Sequence, residues 1–140
     1  MPDSRKAVAA DMEAVLALRK QLNASVKPDE IAFRSTFPKL LNESQHCILV
    51  LEDDGNVLAY ASGYKHLTLY AGGFVAYLDE IVVASKARGK RLGTVLLTAF
   101  ENWAHAEGCV LVGLATGGAR GFYEKLSYET RAGYYKKKLT

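Results

Sequence analysis

The chain has few of the residues that mark disulfide-rich or metal-binding proteins. It contains two cysteines in 140 residues, Cys47 and Cys109, which is too few for a disulfide framework. Each lies inside an apolar strand pattern, which indicates a buried, reduced thiol. Two cysteines cannot form a zinc site alone, and the three histidines (His46, His66 and His105) show no ligand spacing. We therefore expect no metal.

Long apolar runs are also missing. No stretch approaches the length that spans a bilayer, and residues 1–6 are charged and lead into no hydrophobic signal region. We expect a cytoplasmic protein without a membrane partner. The sequence is compatible with a homodimer and does not decide the oligomeric state.

The chain carries no large excess of charge of either sign. Its net charge of +3 is too small to favour nucleic acid, and its basic residues do not follow one helix with interleaved aromatics. The lysines at 136–138 indicate a solvated strand edge instead. With 49% hydrophobic and 24% charged residues, residues 1–140 are predicted to form one domain with a proper core.

The most informative segment is YLDEIVVASKARGKRLG, residues 77–93. Ile81, Val82 and Val83 form a β-branched run that is typical of a buried strand. The basic turn at 88–91 then precedes an apolar helix that has no acid in its first turn. Unpaired N–H groups and the helix dipole favour an anion there, and glycines permit close approach. The segment therefore predicts a binding site for a phosphate or diphosphate.

This segment resembles the acetyl-CoA motif of the GNAT superfamily of N-acetyltransferases. Arg88 and Gly93 match the motif, Gly89 adds a glycine, and Arg91 stands where the family's middle glycine is expected. A second segment, GFYEKLSY at 121–128, is similar to the family's later Phe-Tyr-Glu-Lys-x-Gly-Phe sequence. The two segments occur in the family's order and span the second half of the chain.

The resemblance implies a single-domain α/β (α+β) acetyltransferase fold, with a mixed, mostly antiparallel central sheet flanked by helices in the order βααβββαβαβ. The residue pattern alone predicts a mixed α/β domain. We predict strands over 5–9, 46–52, 57–67, 74–83, 109–115 and 128–139. We predict helices over 11–22, from 27 to 41 with a bend or break at Pro38, from 92 to 107, and over 119–126. The strands between 46 and 83 should form an antiparallel meander, and 109–115 should be central.

The resemblance also implies acetyl-CoA as co-substrate. The predicted cofactor-binding residues are Ile81, Val82, Val83, Arg88, Gly89, Lys90, Arg91, Leu92, Gly93, Thr94 and Thr116. The family places a bulge in the strand at 78–83, which would let the N–H of Val82, or of its neighbour Ile81, face the thioester carbonyl. Arg91 fits the turn easily unless its position requires a positive φ. Thr116 stands in a loop where many relatives carry an asparagine that this chain lacks.

Two residues are predicted to be catalytic. The resemblance implies that Tyr123 protonates the departing thiolate of coenzyme A, with a purely packing role as the alternative. Glu80 is predicted to take the proton of the acceptor ammonium. Asp79, His66 and Tyr64 are the other candidates for this base. Strand alternation predicts that Asp79 and Glu80 point to opposite faces of the sheet.

These features together predict an N-acetyltransferase that moves an acetyl group directly to the primary amine of a small molecule through a tetrahedral intermediate. An acyl-CoA-binding regulatory module without turnover, or an enzyme acting on a protein or peptide amine, is the alternative. Arg34, Lys65 and His66 are candidates for binding an anionic acceptor, although a role as solvated surface charges is equally open. The absence of an acidic run argues against a polycationic acceptor.

Overall fold

The computed structural model describes residues 2–22 and 27–140, and within them an open five-stranded sheet whose strands lie in chain order. The strands are β1 (Asp3–Lys6), β2 (His46–Asp53), β3 (Asn56–Thr68), β4 (Gly73–Val83) and β5 (Leu111–Leu114). The helices are α1 (Met12–Arg19), α2 (Glu30–Leu41), α3 (Leu92–Ala106) and α4 (Arg120–Lys125). The first four strands pair antiparallel and β5 pairs parallel to β4, so the predicted mixed α/β class and the central meander are confirmed.

The helices cover both faces of the sheet. Ser62 lies on the face that α1 and α2 cover, because it lines a cleft together with residues of both helices. The next residue, Gly63, faces α3. A Cβ at this position would lie 2.5 Å from Cζ of Phe100 and 2.5 Å from the carbonyl oxygen of Tyr77, so only glycine fits between β3 and α3. The face that α1 and α2 cover and the face that α3 covers are therefore separated by the thickness of the sheet.

The sequence predicted a bend or break of α2 at Pro38, but the helix is not broken there. The helix continues through it to Leu41. Proline removes only the hydrogen bond to the carbonyl of Arg34, which lies on the exposed side of the helix where water can replace it. Phe37, the neighbouring residue, is buried against the core and keeps this part of α2 on the sheet.

The two ends of the chain differ most from the prediction. β1 begins and ends earlier than the predicted strand at 5–9, and the 3₁₀ turn at residues 9–11 prevents it from reaching residue 9. Residues 128–139 form no strand in the described part of the chain, which leaves β5 at the sheet edge instead of at its centre. Tyr134 and Tyr135 in this segment are 70% and 94% exposed, so apolar burial does not hold it against the sheet. Within residues 2–22 and 27–140, no helix combines the length and the apolar character of a membrane span.

Candidate active site

The basic turn leads into the start of α3 with free backbone donors. Val95 is the first residue of the helix region whose N–H binds a helical carbonyl, that of Arg91 at 3.2 Å. The N–H groups of Leu92, Gly93 and Thr94 have no acceptor among the described residues. No carboxylate of the described residues pairs with the cations at 88, 90 and 91. This combination of free amides and unpaired cations can hold a diphosphate.

Two residues of this turn adopt left-handed backbone conformations. Gly89 has φ +85°, and a side chain there would meet open space, so only the backbone conformation favours glycine. Arg91 caps α3 with φ +61° and ψ +23°. The arginine at the family's glycine position therefore does occupy the conformation that a side chain disfavours. The turn keeps its shape at a cost in conformational energy.

A bulge interrupts β4 at Asp79. Ser62 of β3 pairs with Glu80, whereas the next residue, Gly63, pairs with Leu78, so Asp79 has no partner of its own. The parallel pairing of β5 also ends here, because Leu114 is opposite Leu78. Beyond this point the outer edge of β4 is open in the described part of the chain. A slot between the two strands is therefore left beside the bulge.

The hydrogen-bond alternation of β4 shows which amides face this slot. Ala84 donates its N–H to the carbonyl of Leu58 on β3 at 2.8 Å. Since alternate residues of a strand bind the same neighbour, Val82 also binds β3, and Ile81 and Val83 face the slot. Nε of Arg88 donates to the carbonyl of Val83 at 3.4 Å, which agrees with this assignment. Of the two predicted donors to the thioester, the ladder favours Ile81 over Val82.

A cleft of about 330 Å³ lies between helices α1 and α2 and the face of the sheet that carries Glu80. Its lining is formed by Val15, Arg19, Lys27, Pro28, Asp29, Ala32, Phe33, Thr36, Phe37, Leu40, Ile48, Tyr60, Ser62 and Glu80. The predicted base is thus in a cavity of the size that binds small molecules. The slot for a thioester begins at the next residue, Ile81.

The two neighbouring carboxylates interact with the same part of the sheet. Glu80 accepts a 3.0 Å hydrogen bond from the hydroxyl of Tyr60. Burial, and then the charge of Glu80, raise the pKa of Asp79 to about 6. Burial, and then the charge of Asp79, raise the pKa of Tyr64, which lies on the same face of β3 as Tyr60. Asp79 is itself the extra residue of the bulge, so the strict alternation on which the prediction of opposite faces depended does not hold here.

Tyr123 places its ring in the core beside the turn. It is 7% exposed, and its ring packs edge-on against Phe122 and Tyr128 at centroid distances of 5.0 and 5.7 Å. Burial raises its pKa, so the hydroxyl is protonated at neutral pH. This hydroxyl has no hydrogen-bond partner among the described residues and is not sealed from solvent. A Cβ on Gly93 would lie 3.4 Å from Phe122, so α4 sits directly against the start of α3.

Thr116 has a local structural role. Its hydroxyl oxygen accepts the N–H of Ala119 at 3.1 Å, which orders the turn before α4. The hydroxyl proton is still available to a ligand. Thr116 therefore stays a predicted contact, at an exposed position between β5 and α4.

The structure disperses the residues predicted to bind an anionic acceptor. Arg34 pairs with Glu13 at 2.8 Å on the outside of α1 and α2, and it does not line the cleft. Lys65 pairs with Glu107 at 2.8 Å, on the α3 side of the sheet. His66 is exposed and packs its ring against Tyr64. These three residues form no common site, because alternation along β3 separates two of them and an ion pair holds the third.

Sequence reasoning missed the pair His46 and Ser62. Nε2 of His46 lies 2.7 Å from Oγ of Ser62, and Ser62 is the cross-strand partner of Glu80. Burial lowers the pKa of His46, which favours the neutral ring at pH 7. Only the strand register brings these residues together, and the sequence carries no signal of that register. Within residues 2–22 and 27–140, no cluster of three His, Cys, Asp or Glu residues could hold a metal ion.

Comparison with known proteins gives a family match over most of the chain. A model of the acetyltransferase (GNAT) family matches residues 12–128. The chain is 30% identical over 118 residues to glucosamine 6-phosphate N-acetyltransferase 1 of Oryza sativa subsp. japonica, and the match covers 81% of this chain and 72% of the rice protein.

Solved structures have the same fold. Glucosamine-6-phosphate N-acetyltransferase from Arabidopsis thaliana aligns with a TM-score of 0.86 at 23% identity, covering 100% of this chain and 99% of the other. The aminoglycoside N-acetyltransferase AAC(6')-Iy in complex with CoA aligns with a TM-score of 0.82 at 20% identity, covering 100% and 96%. At these identities the likeness establishes the architecture alone.

Proposed function

The chain belongs to the acetyltransferase (GNAT) family, and from this premise we propose that it transfers the acetyl group of acetyl-CoA directly to the primary amine of a small molecule. One observation carries the proposal. The bulge at Asp79 turns the N–H of Ile81 into the slot between β4 and β5, and the residue before it, Glu80, opens into the cleft on the other side. A thioester and an amine can therefore meet at this bend of β4.

The described residues fit acetyl-CoA, which supplies the activated acetyl thioester when bound. Arg88 and Lys90, with the free amides of residues 92–94, suit its diphosphate. The open edge of β4 offers backbone donors and acceptors to an extended arm. The N–H of Ile81 would donate to the carbonyl oxygen of the thioester and stabilise the negative charge that develops on it.

The side chains supply the proton transfers. Glu80 would take a proton from the ammonium, so that the amine nitrogen can form a bond with the acetyl carbon. As the carbon–sulfur bond of the tetrahedral intermediate breaks, the sulfur leaves with the bonding electrons, and Tyr123 would give it a proton. The nitrogen bonded to the acetyl carbon would lose its second proton to water as the intermediate collapses, so the products are an amide and a free thiol. The solvent-accessible hydroxyl of Tyr123 can then be reprotonated from water.

The test measures release of free thiol when the full chain is mixed with acetyl-CoA and a panel of primary amines. We expect thiol release that depends on the amine, and we expect Glu80→Gln to lower its rate at least 100-fold. Calorimetry should show that acetyl-CoA binds both proteins alike, and that ATP binds at least tenfold more weakly. Binding of acetyl-CoA without release for any amine would contradict turnover and favour the regulatory-module alternative.

A further inference from the structure

The wall of the cleft opposite the sheet is apolar and aromatic. Phe33 and Phe37 lie one helical turn apart on α2, with ring centroids 5.9 Å apart and planes inclined by 20°. Val15 of α1 continues this surface, and Ile48 of β2 adds an apolar side chain from the sheet; they are 2% and 6% exposed. Such a wall binds a ring or a branched alkyl group by removing its surface from water.

Most polar side chains of the cleft are already bound to other groups. The hydroxyl of Tyr60 donates to Glu80, and the hydroxyl of Ser62 is bonded to His46. The carboxylate of Asp29 accepts the N–H of Ala32 at the start of α2. A sugar would bring several hydroxyl groups into the cleft and find few free partners for them among the described lining residues. Burying hydroxyls without partners is unfavourable, so the lining discriminates against sugars.

The charges of the cleft balance each other. Arg19 and Lys27 are its cations, and Asp29 and Glu80 are its anions. A phosphate group needs a surplus of positive charge, and a polyamine needs a surplus of negative charge. The described lining residues provide no surplus of either charge. A single ammonium next to Glu80 is the charge that this arrangement accommodates best.

From this lining we infer that the acceptor is a primary monoamine carried on an apolar body, an arylalkyl or branched alkyl amine, in place of a sugar phosphate or a polyamine. This inference rests on the proposed function and specifies its substrate class. The ammonium lies at Glu80, and the apolar body lies against the rings of Phe33 and Phe37. The cleft volume of about 330 Å³ is at the lower end for small-molecule sites, which suits an amine with one ring.

The experiment compares phenethylamine and isoamylamine with glucosamine 6-phosphate and spermidine. Thiol release at saturating acetyl-CoA gives kcat/KM for each, and we expect the two apolar amines to exceed the other two at least tenfold. In parallel, calorimetry on the complex with CoA gives the Kd of each amine without any turnover. A preference for glucosamine 6-phosphate or spermidine in these Kd values overturns the inference. Tighter binding of the apolar amines without thiol release upholds it and contradicts the proposed function alone.

A matched pair of variants tests the position of the apolar body. Ala32→Phe fills the cleft from α2, whereas Ile31→Phe adds an equally large ring at the neighbouring position, which is 83% exposed and outside the lining. Ala32→Phe should lower kcat/KM for phenethylamine at least tenfold, with the KM for acetyl-CoA unchanged. Ile31→Phe should leave both values unchanged. Equal effects of the two substitutions would overturn the inference, and circular dichroism of both variants controls for folding.

Discussion

Tyr60 and Glu80 are joined by a hydrogen bond of 3.0 Å that runs from β3 to β4 beneath the cleft. Tyr60 is 1% exposed, and burial raises the pKa of its hydroxyl far above the ordinary value, so it is a donor at every pH of interest. It holds Oε1 of Glu80, while Oε2 has no donor among the described residues. The hydrogen bond thereby fixes the orientation of the carboxylate at the cleft that Glu80 lines.

Tyr60→Phe should lower kcat more than it changes the KM for acetyl-CoA. The variant removes the donor that orients Glu80 but leaves the basic turn intact. We expect a loss of about tenfold in kcat and about 1 kcal/mol in the free energy of unfolding, because Glu80 can be rehydrated from the cleft. Steady-state kinetics and urea unfolding measure the two effects. An unchanged kcat would contradict the orienting role.

Tyr123→Phe and Tyr128→Phe should have opposite effects. The hydroxyl of Tyr123 has no protein partner in the described chain, so its loss should leave stability unchanged and lower kcat about 100-fold. The hydroxyl of Tyr128 donates to Glu101 at 2.7 Å, so its loss should cost about 1 kcal/mol of stability and spare kcat. Urea unfolding and turnover of both variants are the measurements. Full turnover by Tyr123→Phe would remove its role as the acid.

Arg91→Gly should stabilise the chain by about 1 kcal/mol, because Arg91 has φ +61° and glycine adopts this conformation without strain. Gly89→Ala is the converse substitution at φ +85° and should destabilise by a similar amount. Urea unfolding of the two variants without ligand measures both changes in the free energy of unfolding. If Arg91→Gly were neutral or destabilising, the left-handed turn would store no strain.

Asp79→Asn should change how stability depends on pH. The fold raises the pKa of Asp79 from 3.8 to about 6, so the folded chain holds this proton more tightly than the unfolded chain. The contribution of Asp79 to stability is therefore complete below pH 4 and lost as pH rises through 6. We expect the variant to be more stable than the original chain at pH 8 and equal to it at pH 4. If the free energy of unfolding differed between the two chains by the same amount at pH 4 and pH 8, the raised pKa of Asp79 would be contradicted.

The basic turn and the free amides at the start of α3 could be predicted from the sequence because they are local. Residues 88–94 are contiguous, and an apolar helix that begins without acids has free amides wherever it packs. The meander was predictable for a similar reason, since a DDGN turn at residues 53–56 joins β2 to β3. Arg91 shows the limit of this reasoning. An arginine at position 91 indicated only that a positive φ would be strained there. It did not indicate that the turn requires a positive φ.

The acceptor side could not be predicted because long-range packing forms it. The cleft needs α2 to lie across β2 and β3, and His46 reaches Ser62 only through their register. The sequence predicted strand structure at 128–139, but a strand also needs a free edge and apolar contacts to hold it there. Tyr135 and Leu139 are 94% and 91% exposed, so this segment gains too little from burial to pair.

In the proposed reaction, the sheet would keep the two substrates apart until they meet at one bend of β4, with the amine entering from the side of α1 and α2 and the diphosphate held at α3 and α4. Each half of the molecule can therefore be altered on its own. Substitutions confined to α2 would change which amines bind and would leave the binding of acetyl-CoA unchanged. The same separation allows a lineage to acquire new acceptors without rebuilding its chemistry.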